Sequence, residues 1–113
     1  MPMAALELRA FSDDDGVRLE PLGELDLATA EQFDDALRAW LEDPRAGELV
    51  VDLSGVTFMD STGLRSVLIG SSAANQAGRR MVVVPGRGQA RRVIELAQVS
   101  AYLELRDLNG DDA

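Results

Sequence analysis

The sequence predicts one α/β domain, residues 1–113, in which a mixed sheet of four to five strands packs against helices. Three observations predict it. Two segments of alternating polarity open the chain, helical periodicity then alternates with short apolar runs, and a length of 113 residues suits a single domain. A hairpin followed by alternating strands and helices is typical of one α/β domain. The expected order is β-β-α-β-α-β-α-(β).

The first two strands are predicted to form a hairpin. Leu6, Leu8 and Ala10 alternate with polar neighbours, and residues 17–22 alternate in the same way. The segment between them, 12–16, reads Ser-Asp-Asp-Asp-Gly and ends in the residue that best tolerates a positive φ. An antiparallel pair joined by this turn follows.

Three segments carry apolar residues at helical spacing. They cover 30–41, 61–75 and 89–98. Thr29, followed three residues later by Gln32, predicts a capping box at the start of the first helix.

Short apolar runs between the helices predict strands that are covered on both faces. These runs are 48–53 and 81–84, and they show the little alternation that is typical of parallel strands. Residues 102–105 are expected to add a short last strand. The core then spans about 6–105, and 107–113 is expected to be a flexible acidic tail.

The composition excludes several classes of function. Twenty acidic against eleven basic residues give a net charge of −9, the wrong sign for binding nucleic acid or an anionic membrane. The chain has no histidine, the usual general base, and no cysteine for thiol or zinc chemistry. We therefore expect no enzyme activity, no cofactor and no metal. No apolar run approaches the roughly 18 residues of a membrane span, so a cytoplasmic protein is expected.

One motif stands out where the third predicted strand gives way to the second helix. Asp60, Ser61 and Thr62 are all good N-cap residues, and Gly63 permits either a close backbone approach or a turn. The amides of a first helical turn lack intrahelical acceptors and attract negative charge. A phosphate on the Ser61 hydroxyl would therefore be stabilised there. The alternative is that the three residues only cap the helix.

Other chemical interpretations are weaker. A nucleophile elbow needs glycine two residues before and after the serine, but Met59 stands at the first of these positions. The acidic turn 13–16 lacks the spaced ligands of a calcium loop. The Gly-Arg-Gly sequence at 86–88 is too short to cradle a phosphate.

Charge is distributed unevenly. The segment from Arg79 to Arg92 contains five arginines and no acid. Because the chain totals −9 and this segment contributes +5, the remainder carries −14. The segment is either a solvated helix face or a contact for an acidic partner, and we expect it to stay outside the contact made around Ser61.

Two motifs resemble the STAS domain, and specifically the bacterial anti-sigma factor antagonists. The first is Gly-Glu-Leu-Asp at 23–26. The second is Val-Asp-Leu-Ser-Gly-Val-Thr-Phe-Met-Asp-Ser-Thr-Gly-Leu at 51–64. The resemblance covers roughly 6–105 in the same element order.

This resemblance implies a partner-switching phosphoprotein. The unphosphorylated form is expected to bind an anti-sigma factor with serine-kinase activity and so to release the sigma factor. Phosphorylation on Ser61, with Thr62 as a reserve acceptor, then abolishes binding, and a serine phosphatase resets the protein. Asp26 maps to a loop beside the phosphorylated residue. The implied partner-binding residues are Asp26, Asp60, Ser61, Thr62, Gly63, Leu64 and Arg65.

Arg65 departs from the family pattern, which has a small residue there. An arginine one turn after Ser61 can pair with a phosphate or alter the choice of partner. The alternative function is a STAS adaptor subunit of a lipid-transport or signalling-scaffold complex without a phosphorylation cycle. In either case a monomer or weak dimer is expected.

Overall fold

Five strands and three helices form the fold in the computed structural model, which describes residues 5–107. Their bounds are β1 (Leu6–Ser12), β2 (Gly16–Leu25), α1 (Ala30–Leu41), β3 (Glu48–Asp52), β4 (Val56–Met59), α2 (Ser61–Gln76), β5 (Met81–Val84) and α3 (Gln89–Ala97), followed by a 3-10 turn (Ser100–Tyr102). The predicted α/β class and the hairpin are confirmed. The additional strand is β4, which lies within the motif before α2.

The sheet is mixed, as predicted. Its strand order is β1-β2-β3-β5, and β4 pairs with β2 beyond the end of β3. β1 and β2 are antiparallel, whereas the other pairs are parallel. The ten-residue β2 serves two parallel partners in succession: Leu19 lies opposite Val51 of β3, and Leu25 lies opposite Met59 of β4. The far end of β2 and the end of β4 therefore meet at one edge.

The last predicted strand, 102–105, is reduced to one parallel bridge between Val83 and Leu105. The amide of Val83 donates to the Glu104 carbonyl at 2.8 Å, and the Arg106 amide donates to the Val83 carbonyl at 2.9 Å. This segment covers the outer edge of β5 without becoming a strand, and its first residue, Tyr102, belongs to the 3-10 turn.

The predicted acidic tail lies mostly outside the described residues. Asp107 is described, and its carboxylate lies 2.6 Å from the Arg91 guanidinium. The flexibility expected of the remainder, 108–113, stays a prediction.

The predicted capping box at the start of α1 is wrong. The Thr29 hydroxyl makes no cap hydrogen bond; it donates to the Glu24 carbonyl at 2.7 Å and accepts from the Asp26 amide at 3.0 Å. The Gln32 side chain donates to the Leu6 carbonyl at 3.0 Å. Both side chains therefore bond to groups outside the helix: Thr29 to the end of β2 and the loop after it, and Gln32 to the distant strand β1.

The core lies between the sheet and the helices. α1 packs against α2 and β2, and α3 packs against β4. The most deeply buried apolar side chains include Leu25, Phe33, Val51, Met59, Val67 and Ile94. The buried face of α1 repeats at helical spacing, which confirms the periodicity that predicted the helix. Among residues 5–107, no helix combines the length and apolarity that crossing a membrane requires.

Candidate functional site

The motif residues converge at the edge where β2 and β4 end. Leu25 and Met59 form the last pair of the two parallel strands, so Asp26 and Asp60 leave the sheet side by side. The carboxyl ends of parallel strands commonly form binding sites for this reason. We call Asp26 together with residues 60–65 the α2 site.

Asp60 is the residue that caps α2. Its backbone is extended, with φ −103° and ψ −173°, and its Oδ1 accepts from the Gly63 amide at 2.9 Å. Its Oδ2 accepts from the Leu27 amide at 3.3 Å. One carboxylate thus caps the helix and also ties the loop after β2 to the helix. The capping interpretation is confirmed for Asp60, which leaves the neighbouring hydroxyls free of that task.

Ser61 is the exposed hydroxyl of the motif. It is the first residue of α2, and among residues 5–107 its side chain takes part in no hydrogen bond. Thr62 is half-buried. Arg65 is exposed one turn further on, and none of the ion pairs in the described part of the chain includes it. The geometry favours Ser61 over Thr62 as a residue that an incoming group can reach.

Gly63 allows α2 to lie against the end of β2. A Cβ atom at this position would lie 2.1 Å from the Leu25 carbonyl oxygen and 3.0 Å from Met59 Cγ. The first of these contacts is with backbone, which cannot move aside as a side chain can. The predicted close approach is therefore confirmed, and it places the helix start beside Asp26.

Asp26 shapes its own loop. Its Oδ1 accepts from the Ala28 amide at 3.0 Å, and its carbonyl accepts from the Thr29 and Ala30 amides at 3.1 and 2.8 Å. The neighbouring Leu27 is 77% exposed, and its amide is the group that reaches Asp60. Sequence reasoning missed Leu27, although an apolar residue in a short polar loop is a usable signal.

Two predicted partner-binding residues lie inside the fold. Gly63 is buried and Leu64 is only 7% exposed, so both hold α2 in place. The exposed or half-exposed members of the set are Asp26, Asp60, Ser61, Thr62 and Arg65.

The basic segment 79–92 is more than a solvated face. The Arg79 guanidinium lies 4.3 Å from the centre of the Trp40 ring and donates to the carbonyls of Leu41 and Asp43 at 3.2 and 3.1 Å. Arg91 is paired with Asp107. These partners are distant in sequence, so local patterns did not reveal them.

Arg80 is the third arginine of this segment with an internal partner. Its Nε donates to both carboxylate oxygens of Glu104 at 3.1 and 3.0 Å. Its Nη1 lies 3.2 Å from Oε2 of Glu48. The hydrogen bond from Arg80 lowers the pKa of Glu104, and the same bond raises the pKa of Arg80. Both groups are therefore favoured in their charged forms.

Comparison with known proteins shows the family. A family model described as "Mlab, STAS domain" matches residues 9–107. The chain belongs to the STAS domain family, as its motifs indicated.

Solved structures with the same fold include several regulators. The chain is similar to an anti-sigma factor antagonist from Mycobacterium paratuberculosis, with a TM-score of 0.76 and 28% identity over 90% of this chain and 86% of that one. It shares its fold with the Bacillus cell fate determinant SpoIIAA in the phosphorylated form (TM-score 0.67, 18% identity, 93% of this chain and 94% of that one).

The fold also occurs inside a larger protein. The murine anion transporter Slc26a9 in the inward-facing state matches 88% of this chain with a TM-score of 0.71 and 21% identity. The match covers 17% of the transporter. At this identity the likeness concerns the fold alone.

Proposed function

We propose that this chain is an anti-sigma factor antagonist whose binding is controlled by phosphorylation of Ser61. The observation that carries the proposal is that neighbouring residues at the start of α2 have different roles. Asp60 caps the helix, and the adjacent Ser61 hydroxyl is exposed and without a hydrogen-bond partner in the described residues. The likeness to an antagonist at 28% identity supports the same function.

The proposed cycle needs no chemistry from the chain itself. The unphosphorylated protein binds a cytoplasmic anti-sigma factor that has serine-kinase activity, and the sigma factor is released. The kinase then transfers a phosphoryl group to Ser61, and the complex dissociates. A serine phosphatase removes the group and restores the binding form.

The surface around Ser61 has the character of a docking face. Leu27 is 77% exposed and Ile69 is 56% exposed. Positions 61, 65 and 69 follow one another at helical spacing, so Ser61, Arg65 and Ile69 form one stripe along α2. Exposed apolar side chains surrounded by polar and charged residues are typical of protein interfaces, which have an apolar centre and a polar rim. We call these four residues, with Asp26, the docking face.

A phosphate on Ser61 would change this face without unfolding it. It adds about −1.5 to −2 charges beside Asp60 and Asp26. The amides of the first turn of α2 favour that charge, so the helix start tolerates it. Arg65, one turn away, is available to pair with the phosphate. Crowding of the phosphate with the like charges of Asp60 and Asp26, together with the cost of burying the phosphate, then opposes binding.

The test uses the wild-type chain, Ser61→Ala and the matched control Thr62→Ala. Each tagged protein is used to capture partners from cells of the source organism, and the captured kinase is then supplied with ATP. We expect wild type and Thr62→Ala to gain one phosphate, mapped by mass spectrometry to residue 61. Ser61→Ala should bind the partner and stay unmodified.

Two results contradict the proposal. The first is a phosphate on Thr62 in a wild-type chain whose Ser61→Ala variant is fully modified. The second is capture of transport-complex subunits with no kinase, which supports the adaptor function instead. Ser61→Asp serves as a further check and should weaken binding, although less than a phosphate because it carries one charge.

A further inference from the structure

Gln89 holds both main-chain polar groups of Met59. Its Oε1 accepts from the Met59 amide at 2.6 Å, and its Nε2 donates to the Met59 carbonyl at 3.1 Å. Gln89 is the first residue of α3, whereas Met59 is the last residue of β4 and directly precedes Asp60. One side-chain amide thus does for this residue what a neighbouring strand does in a sheet.

Without Gln89 these groups of Met59 would have no hydrogen-bond partner among residues 5–107. Within residues 5–107, β2 is the strand that pairs with β4, and it lies on the other side of β4. Met59 is 1% exposed, so water does not replace a missing partner readily. Buried main-chain groups that lose their hydrogen bonds are costly. The backbone at Met59 therefore depends on the Gln89 amide.

The same backbone carries the α2 site. Asp60 follows Met59 in extended conformation, and from that position its carboxylate reaches both the Gly63 and the Leu27 amides. A rotation of the peptide between Met59 and Asp60 would move the carboxylate off these two donors. Ser61 would move with it.

We propose that Gln89 is a positioning residue of the α2 site, which keeps Asp60 on its two donors and Ser61 in its exposed place. The role in phosphorylation rests on the proposed function, whereas the role in geometry does not. α3, which packs on β4, thereby also supports the α2 site. The basic segment that contains Gln89 contributes to the site through this one uncharged side chain.

Glutamine suits this task for simple chemical reasons. Its amide offers one acceptor and two donors in one plane, as a main-chain peptide group does. Glutamate at neutral pH retains the acceptor but has no donor, and it would turn a carboxylate oxygen towards the Met59 carbonyl. Methionine matches the length of the side chain and makes neither bond.

The experiment compares Gln89→Met with the control Gln32→Met. The control removes a similar bond, from the Gln32 side chain to the Leu6 carbonyl at 3.0 Å, which involves neither Met59 nor Asp60. Amide hydrogen exchange is measured by NMR at Met59, Leu27 and Gly63 in each full-length protein. In Gln89→Met we expect exchange to be about tenfold faster at Met59, and severalfold faster at Leu27 and Gly63.

The outcomes separate local from positioning roles. Faster exchange at Met59 with no change at Leu27 and Gly63 overturns the proposal, since the contact would then serve Met59 alone. Equal acceleration of all three amides in Gln32→Met also overturns it, because a general loss of stability would explain the result. If Gln89→Met does not fold, Gln89→Glu carries the test, with faster exchange expected at Leu27 and Gly63 and a smaller change at Met59.

A kinase assay then connects geometry to the switch. With the captured kinase, Gln89→Glu should lower kcat for Ser61 phosphorylation more than it raises KM, because the Ser61 hydroxyl is misplaced while Arg65 and Ile69, further along α2, keep their positions. If wild type is never phosphorylated, the proposed function fails, and the exchange measurements still decide the positioning role.

Discussion

The α2 site and the basic segment 79–92 use charged and polar side chains in opposite ways. In the α2 site the backbone is held in place by close packing and a helix cap, while the exposed side chains of Ser61 and Arg65 take part in no hydrogen bond or ion pair among the described residues. In the basic segment, Arg79 and Arg91 are bound to groups of the same chain. A run of like charge is therefore not by itself an interaction surface. In this chain the short motif at the start of α2, which has few charges, is the better candidate for a binding site.

The two regions differ in which part of the chain fixes their geometry, the backbone or the side chains. At the α2 site the geometry is fixed by the close approach of Gly63 to Leu25 and by the Asp60 cap. Side chains there are free to meet a partner. In the basic segment the side chains themselves join elements, because Arg79 reaches the carbonyl of Leu41, the last residue of α1, and that of Asp43 beyond it.

The largest expected effect follows from Gly63→Ala. Its Cβ would lie 2.1 Å from the Leu25 carbonyl oxygen, so α2 would have to move away from β2. We expect the free energy of unfolding to fall by about 3 kcal/mol, at the upper end for overpacked positions. Urea denaturation measures it.

Gly70→Ala is the matched control in the same helix. There the new Cβ would lie 2.5 Å from a terminal methyl carbon of Leu37, which is able to rotate aside. Alanine also favours a helix interior by roughly 1 kcal/mol relative to glycine. The net change should stay within about 1 kcal/mol. Equal losses in both variants would show that the close approach at Gly63 has no special role.

Arg79→Ala should have the next largest effect. It removes the cation over the Trp40 ring and the hydrogen bonds to the carbonyls of Leu41 and Asp43. We expect a loss of about 2 kcal/mol in the free energy of unfolding, since charged hydrogen bonds and a cation–π contact are both lost. Arg92→Ala changes the net charge equally at an exposed position and should cost less than about 0.5 kcal/mol. Similar losses would remove the distinction between bound and solvated arginines in this segment.

Local patterns were sufficient for most of the fold. The helices follow from apolar spacing, and the hairpin follows from alternation around a polar turn. β4 was missed because it has only four residues, with two exposed positions between two buried ones, which is neither alternation nor a continuous apolar run. Its pairing with β2 depends on where β3 ends, and that is a property of the whole sheet.

The site was predictable in its location but not in its division of roles. Three successive cap-type residues are visible in the sequence at 60–62, yet only the extended backbone at Asp60 decides which of them caps the helix. Gln89 and Met59 are thirty positions apart, as their hydrogen bonds record. No local signal connects such residues, because tertiary packing brings them together.

The smallest effect concerns the Arg80–Glu104 pair and tests whether Arg80 belongs with the bound arginines. The hydrogen bond from Arg80 lowers the pKa of Glu104, so in mildly acidic solution the unfolded chain binds more protons than the folded one. The pair's contribution is thus complete above the ordinary glutamate pKa of about 4.3 and is lost as pH falls through the lower folded value. Both side chains are about half exposed, so the contribution is small.

In urea titrations, the stability difference between wild type and Glu104→Gln should shrink between about pH 6 and pH 3. In an Arg80→Ala background the same substitution should show little dependence on pH. If the effect of Glu104→Gln depends on pH equally in both backgrounds, Arg80 does not stabilise the charged form of Glu104. Arg79 and Arg91 are then the arginines of the basic segment that differ from Arg65 in being bound within the chain.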